Sequence, residues 1–427
     1  MLIEWVNWVR GLRVDELLMI LGIVLCIDAP RYAYGSVLMV FWDVICYFRT
    51  GKLLGPHEGA YEFCPPVSVI IAGFNEGDTI ADTMASVWDR YPDVQLIVVD
   101  DGSTDGMAQA AQAFADEHPG VIVIQRDKRG GKSSALNLGL HYVTHDYVIT
   151  IDADSRLSDN ALFEILQPLR DSRVAAVSAN VQAWNSLSSL AAWLQAYEYR
   201  QTIFVSRITR GRTGVLGIVS GAFGAFRTDV LKELGGWDVG PGEDGDLVLR
   251  IRKAGHQIGV APYAHCYTNV PTSWVRLFKQ RCRWDRTVIT FECRKHCDLG
   301  NPWARNSTWA NLCLMAERWF FNVICVYSFW LYGIWVLIFF SGGALNLLGL
   351  LYCCGLAIEL IQMLVLLFYS DRPWRDLGLS AVLPLYPFYQ VFLKFVDFVA
   401  LSEEIAFRSS GDDNFVPLHV RLSTWRW

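Results

Sequence analysis

An α/β domain set between apolar, membrane-spanning ends is the fold class this sequence predicts, and three observations point to it. Hydrophobic residues make up 52% of the 427-residue chain, yet 19% of its residues are charged. That is too apolar for an ordinary soluble enzyme and too charged for a protein made only of membrane helices. The two characters are also segregated. Residues 319–358 contain no Asp, Glu, Lys or Arg, and a helix needs only about 20 apolar residues to cross a bilayer. Residues 49–305, by contrast, alternate short apolar runs with amphipathic stretches.

The N-terminal region, 1–48, carries Glu4, Asp15 and Glu16 ahead of its apolar run and shows no small-residue cleavage site, which argues against a cleaved signal peptide. Asp28-Ala29-Pro30-Arg31 and then Asp43 interrupt the apolar stretch. This predicts two short spans, 14–27 and 34–48, with one kinked span plus an interfacial helix as the alternative. A C-terminal membrane region, 306–402, holds three apolar segments at 314–340, 345–369 and 377–401, followed by a tail, 403–427, of mixed charge. Asn322, Glu359, Gln362 and Lys394 interrupt the apolar segments and could line a route through them. The loop 370–376 carries Arg372 and Arg375, which by the positive-inside tendency marks the cytoplasmic side. The 11 cysteines are scattered, several within apolar runs, as reduced core residues are. Cys293, His296 and Cys297 lie close together, but two further metal ligands are lacking nearby. A net charge of −6 argues against a nucleic-acid partner.

Within the middle region, apolar runs at 67–73, 96–99, 121–124, 147–151 and 174–178 read as strands. Helical patterns separate them at 79–90, 107–117, 133–143 and 160–169. Strands apolar throughout and alternating with helices predict a parallel sheet covered on both faces. Ligands of such sheets bind beyond the carboxyl ends of the strands. Those ends are polar here: Phe74-Asn75-Glu76, Asp100-Asp101-Gly102-Ser103 and Asp152-Ala153-Asp154. The dinucleotide fingerprint GxGxxG is missing after the first strand, which excludes a nicotinamide or flavin enzyme of that type.

Asp152 and Asp154, one residue apart at a strand end, can turn two carboxylates to one side, and Mg²⁺ uses one or two carboxylates plus substrate phosphates. Lys128-Arg129-Gly130-Gly131-Lys132-Ser133-Ser134 opens a helix, combining an anion-favouring N-terminus with the charge of Lys132, although its spacing is not that of a P-loop. Further on, Ser220–Arg227 is small and reads as a flexible loop for backbone approach to a ligand. Gly242-Glu243-Asp244-Gly245-Asp246 precedes an amphipathic helix, 247–254. Helix capping accounts for one of these acids, which leaves a candidate general base. The stretch Phe278–Arg286 packs four basic residues and Trp284 just before the apolar third of the chain. Helical spacing puts Gln280, Arg283 and Trp284 on one face; Lys279, Arg281 and Arg286 read as a solvated basic patch.

Taken in order, Asp100-Asp101-Gly102-Ser103, Asp152-Ala153-Asp154, Glu243-Asp244 and Gln280-Arg281-Cys282-Arg283-Trp284 resemble the motifs of processive, membrane-embedded family 2 glycosyltransferases, the cellulose, hyaluronan and poly-N-acetylglucosamine synthases. The layout is most similar to that of the poly-β-1,6-N-acetylglucosamine synthases. The resemblance implies a Rossmann-like GT-A domain, cytosolic, between N- and C-terminal transmembrane helices of the inner (plasma) membrane. It implies that Phe74, Glu76, Asp100, Asp101, Lys132 and Asp152 hold a nucleotide sugar. Asp152 and Asp154 would bind Mg²⁺ or Mn²⁺, Asp244 would deprotonate the acceptor, and Gln280, Arg283 and Trp284 would meet diphosphate and acceptor. The family usually has Thr-Glu-Asp where this chain has Gly242-Glu243-Asp244.

The implied reaction is the inverting, processive transfer of a sugar from UDP-N-acetylglucosamine, or from UDP-glucose, onto a growing β-linked exopolysaccharide that crosses the bilayer. A regulatory or export partner subunit would accompany it. Two other readings are a non-processive enzyme acting on a lipid-linked acceptor and an inactive membrane scaffold or sensor.

Overall fold

The computed structural model describes residues 2–23, 33–57, 59–238, 242–304, 307–339, 343–412 and 416–424. The chain divides into two compact units, one of residues 56–315 with 402–427, the other of residues 1–55 with 316–401.

The first unit is built on eight strands: β1 Val67–Gly73, β2 Val94–Asp100, β3 Ile122–Gln125, β4 Tyr147–Asp152, β5 Arg156–Leu157, β6 Val174–Ala183, β7 Phe223–Arg227 and β8 Gln257–Thr268. Their order across the sheet is β3-β2-β1-β4-β7-β6-β8-β5. β1 to β4 are mutually parallel, with β1 between β2 and β4, as the apolar runs predict. The residues of β1, β2 and β4 are buried on both faces, and Ile70, Ile71, Ile97, Val98, Val148 and Ile149 are fully inaccessible, while edge strand β3 is half-buried. Helices Met107–Glu117 and Lys132–His141 start close to where the sequence pattern starts them.

The sheet is mixed rather than parallel, which corrects the sequence expectation. β7 runs antiparallel to both β4 and β6, and β5 runs antiparallel to β8, while β6 and β8 are parallel. β7 lies inside the stretch that reads as a flexible loop. Its small residues exist for packing: a Cβ on Gly224 would stand 2.6 Å from Val219 Cγ1 and 3.3 Å from the Phe226 ring. Glycine and alanine between its two phenylalanines, with no β-branched residue, weaken the strand's propensity signal. The helix expected at 247–254 begins earlier, at Glu243, so the acidic cluster forms its first turn.

The second unit contains the three helices that are long and apolar enough to cross a membrane, Trp309–Phe339, Ala344–Tyr369 and Pro373–Phe407, the first and last of them continuing into residues of the other unit. They match the three C-terminal segments expected. Among the described residues, the N-terminal helices Leu2–Gly11, Val14–Ile23 and Gly35–Thr50 have 10, 10 and 16 residues, fewer than the about 20 of a full crossing. Residues 24–32, where the expected first span ends and the interruption falls, lie outside the described residues. Exposed Leu331, Ile334, Leu337 and Ile338 give the first long helix an apolar flank. Two of the four polar residues noted in the apolar segments, Glu359 and Gln362, are buried. Glu359 accepts a hydrogen bond from Gln390 Nε2 at 2.8 Å, as a polar group enclosed in an apolar bundle requires.

Because Ile149 sits fully buried on the central strand β4, Ile149→Ala should cost on the order of 2–5 kcal/mol through lost burial and a residual cavity. A thermal melt of the detergent-solubilised protein checks this. An unchanged midpoint would mean that β4 is not the packed centre of the sheet.

Candidate active site

The carboxyl ends of β1, β2 and β4 bring the expected polar residues to one edge of the sheet, and the residues there differ in what they hold. Asp101 is almost fully buried. Its Oδ1 accepts from Gly130 N at 2.8 Å and from Arg126 Nη1 at 3.0 Å, and its Oδ2 accepts from Gly131 N at 2.6 Å. This carboxylate therefore shapes the basic turn that opens the helix at Lys132. Asp100 Oδ1 accepts from the backbone N–H of Ser103 at 3.0 Å, whereas its Oδ2 is buried without a hydrogen-bond partner among the described residues. An unpaired buried acceptor costs about 1–3 kcal/mol, which a ligand donor would recover. The guanidinium of Arg129 lies 4.2 Å from the centre of the Phe74 ring, a stacking distance for a cation on an aromatic face. Pro417, from the tail, has its Cδ 3.4 Å from where a side chain on Gly131 would begin.

Lys132 stands among acids. Its Nζ is 2.5 Å from Asp152 Oδ1 and 3.6 Å from Glu243 Oε1. Burial works against its charge, but Asp152, Asp244 and Glu243 together hold the ammonium's pKa above the ordinary lysine range. Asp152 is pushed up to about 6 by burial, with Lys132 opposing and Asp154 adding to the rise. Its side chain keeps 32% of its surface accessible, so solvent tempers that shift. Glu76 is raised by burial and then by the charge of Asp154. Asp154 itself takes weak contacts from the Ser155 and Thr268 hydroxyls, at 3.3 and 3.4 Å.

Asp244 and Glu243 occupy the first turn of helix Glu243–Lys253. Asp244 Oδ2 accepts from Gly221 N at 3.0 Å. A Cβ on residue 221 would lie 2.5 Å from that same oxygen, so only glycine lets the Ser220–Ala222 turn approach so closely. Burial, and next the neighbouring Glu243 carboxyl, raise the pKa of Asp244 well above the aspartate range, with Lys132 pulling it down. The turn is fixed from behind by Arg207, buried, whose Nη1 donates to Ser220 Oγ at 2.8 Å and Ser178 Oγ at 2.5 Å.

The third acid of the cluster has a different task. Asp246 is 1% exposed and meets Arg250 Nε at 2.8 Å, Lys295 Nζ at 2.7 Å and His296 Nε2 at 2.8 Å. Because the carboxylate can only accept, His296 donates from Nε2, and its partnerless Nδ1 suits a neutral ring. Lys295 ends the continuous helical run Trp274–Thr287 and Val288–Lys295, so this cluster ties the Asp244 helix to the element bearing Gln280, Arg283 and Trp284. The sequence marked His296 only as a weak metal ligand. Nothing in the spacing pointed to Asp246, which is 50 residues away.

Along the helix Trp274–Thr287, Gln280 has a buried Oε1 with no partner, Arg283 is half-buried and Trp284 is 39% exposed. Arg281 and Arg286 are not the solvated patch expected of them. Arg281 is buried, 2.9 Å from Glu198 Oε2, and its guanidinium lies 4.5 Å from the centre of the Trp284 ring. Arg286 pairs with Glu403 at 2.5 Å. Long-range partners on helix Leu190–Tyr199 and in the tail cannot be read from local charge.

Among the described residues, no group of three or more His, Cys, Asp or Glu side chains forms a ready-made metal centre. Asp152 and Asp154 nevertheless suit a hard cation whose remaining ligands come from a phosphate-bearing substrate. Asp152 and Glu76 are both raised first by burial and in part by the charge of Asp154, a repulsion that such a cation would relieve.

A family model described as "Glycosyltransferase like family 2" matches residues 65–287. Poly-beta-1,6-N-acetyl-D-glucosamine synthase of Staphylococcus epidermidis is 31% identical over 221 residues, 51% of this chain and 53% of that protein. The synthase of the same name from Staphylococcus aureus strain MSSA476 is 29% identical over the same shares. The chain thus spans about half the length of the curated relatives it matches. A mannosyltransferase of Pyrobaculum calidifontis, solved in complex with GDP-Man and Mn²⁺, superposes with a TM-score of 0.59 at 19% identity, over 91% of this chain and 99% of that one. At that identity the likeness concerns the fold.

The Asp246–His296 contact makes stability depend on pH in a calculable direction. Burial alone would raise Asp246, but His296, Lys295 and Arg250 together hold its pKa below the ordinary range; burial lowers that of His296 against the pull of Asp246. Both folded pKa values lie below the unfolded ones. The His296 contribution is therefore complete above about pH 6.5 and shrinks below it, and that of Asp246 is complete above about pH 3.9 and shrinks below that. Melting temperatures should fall on acidification from neutral pH, and His296→Gln should flatten the upper part of that fall. An equally steep profile in the variant would exclude His296 as its source.

Proposed function

Because this chain belongs to glycosyltransferase-like family 2, we propose that it polymerises a UDP-sugar, UDP-N-acetylglucosamine in preference to UDP-glucose, into a β-linked exopolysaccharide. On this reading it works processively, inverts the anomeric centre and passes the polymer across the membrane. The observation that carries the reading is the meeting of Asp152, Lys132, Glu243 and Asp244 at the carboxyl edge of the sheet. The named activity of the staphylococcal relatives supports the choice of sugar.

The chain's own residues supply a coherent mechanism. Phe74 and the unpaired Asp100 Oδ2 receive the nucleotide, and Asp101 acts through the Gly130–Gly131 turn that it holds. Lys132 swings its charge from Asp152 toward the diphosphate as the leaving group develops negative charge. Asp152 and Asp154 would hold Mg²⁺ or Mn²⁺, which when bound supplies further charge stabilisation to the diphosphate. Asp244 takes the proton of the acceptor hydroxyl. Its raised pKa makes it a stronger base than an exposed aspartate, and Gly221 N–H fixes its orientation. Gln280 and Arg283 meet the diphosphate and Trp284 the acceptor sugar. One base without a second nucleophile means a single displacement, so an α-linked donor gives a β-linked product.

The three long apolar helices support a multi-pass protein of the plasma membrane. The catalytic region, 49–305, would lie on the cytoplasmic side with the UDP-sugars, between membrane regions 1–48 and 306–402.

Asp244→Asn should reduce transfer by at least about a hundredfold, the usual contribution of a general base, while UDP still binds. Retained synthesis would remove Asp244 from that role. Incubating the solubilised protein with a panel of UDP-sugars and Mg²⁺ or Mn²⁺, and following UDP release and product size, tests the whole reading. A long β-linked product is expected. An α-linkage by NMR would refute inversion, and single-sugar products would refute processivity.

A further inference from the structure

Trp184 is a large aromatic residue at the carboxyl end of the sheet that the proposed mechanism leaves unused. It follows directly on β6, and 54% of its surface is exposed. It is held firmly for so exposed a ring. Its backbone N–H donates to Thr268 O at 2.8 Å. The guanidinium of Arg156 lies 5.1 Å from the ring centre, and Tyr267 meets it edge-on at 5.8 Å. The next residue, Asn185, exchanges two hydrogen bonds with Val270, its Nδ2 donating to Val270 O at 2.9 Å and its Oδ1 accepting from Val270 N at 2.8 Å.

Two connections link this ring to the chemistry. Thr268, whose carbonyl holds Trp184, also turns its hydroxyl to Asp154 Oδ2, 3.4 Å away. The segment 268–273 then leads straight into the helix Trp274–Thr287 that carries Trp284, and Gln195 Nε2 ties it to the Trp184 side by donating to Pro271 O at 2.8 Å. Trp184 and Trp284 thus stand on elements linked through the segment 268–273, and Thr268 at its start touches a carboxylate of the metal pair.

We infer that Trp184 forms a second stacking subsite for the saccharide acceptor, taking the apolar face of a β-linked pyranose unit other than the one that meets Trp284. The identity of the acceptor rests on the function proposed above. A sugar ring presents C–H groups on its faces and hydroxyls around its rim. The site answers both: the indole is half exposed with the Arg156 guanidinium over one side of the ring, and the polar side chains of Thr268 and Asn185 stand on the backbone beside it as a polar rim. That polar rim distinguishes it from a bilayer anchor, for which aliphatic neighbours would be expected. Leu187 and Leu190, 80% and 45% exposed just beyond, are residues that a bilayer would suit better, so lipid contact is an outcome the test separates.

The test uses the full chain in detergent, without donor, and measures binding of short β-linked N-acetylglucosamine oligomers and cello-oligosaccharides. UDP affinity on the same preparations reports that each variant is folded. Trp184→Ala should weaken binding of the preferred oligomer about tenfold, or about 1.4 kcal/mol, and shorten the polymer made when donor is added. Trp184→Phe, which keeps a ring, should restore most of both. Undiminished oligomer binding in Trp184→Ala overturns the inference. So does a defect that appears only in lipid nanodiscs, which would mark a bilayer contact. A wild-type protein that binds oligomers through Trp184 but transfers no sugar would overturn the proposed function and leave the subsite standing. Normal polymerisation with an unaffected Trp184→Ala would do the reverse.

Discussion

Like charge gathered at one edge of a buried sheet is the constraint on which the rest of this catalytic unit depends. Asp152, Glu243 and Asp244 all act on the same ammonium, that of Lys132. At the effective dielectric of a protein interior, two like charges about 4 Å apart repel by roughly 4 kcal/mol. One lysine therefore cannot satisfy three acids, and the carboxyl pKa values of Asp152 and Asp244 are raised, first by burial and then by the neighbouring carboxylates. Such a site is unsettled by itself and settled by a ligand that brings cation and phosphate together. In the proposed mechanism, the same imbalance that strains the resting protein keeps Asp244 ready to accept a proton.

That strain has to be contained by the surroundings. Asp101 spends both oxygens on the turn that presents Lys132. Arg207 braces the turn whose Gly221 N–H orients Asp244. Asp246 anchors the Asp244 helix through three basic side chains. Removing one partner from a buried ionic group of this kind costs about 3–5 kcal/mol, far more than a surface pair contributes. These supporting residues are acidic or basic like the reactive ones, but their hydrogen-bonding capacity is already spent inside the fold.

This division explains what could be read from the sequence. Parallel strands β1 to β4 and their helices were legible because a sheet covered on both faces writes long apolar runs, and the polar residues ending those runs could be named from position alone. The three long apolar helices were legible for the same reason of unbroken hydropathy. β7 was not, because its Gly and Ala serve close packing and mimic a loop. Nor were the partners of Arg281, Arg286 and His296, since Glu198, Glu403 and Asp246 are brought to them only by the chain's path. Local pattern shows which residues can carry charge; topology decides which charges are left over for chemistry.

The motif helix shows the consequence most clearly. Four basic residues in nine positions suggested a uniform electrostatic patch, yet their environments differ. Arg281 is committed to Glu198 and lies against the Trp284 ring, and Arg286 is committed to Glu403. A guanidinium held over an indole restricts the ring's rotation without covering it, and Trp284 keeps 39% of its surface exposed. Fixing an aromatic platform before its ligand arrives reduces the entropy lost on binding. On the proposed reading, in which the chain releases and rebinds a growing product, such preorganisation matters more than raw affinity, because a surface that held each unit too tightly would stall the next step.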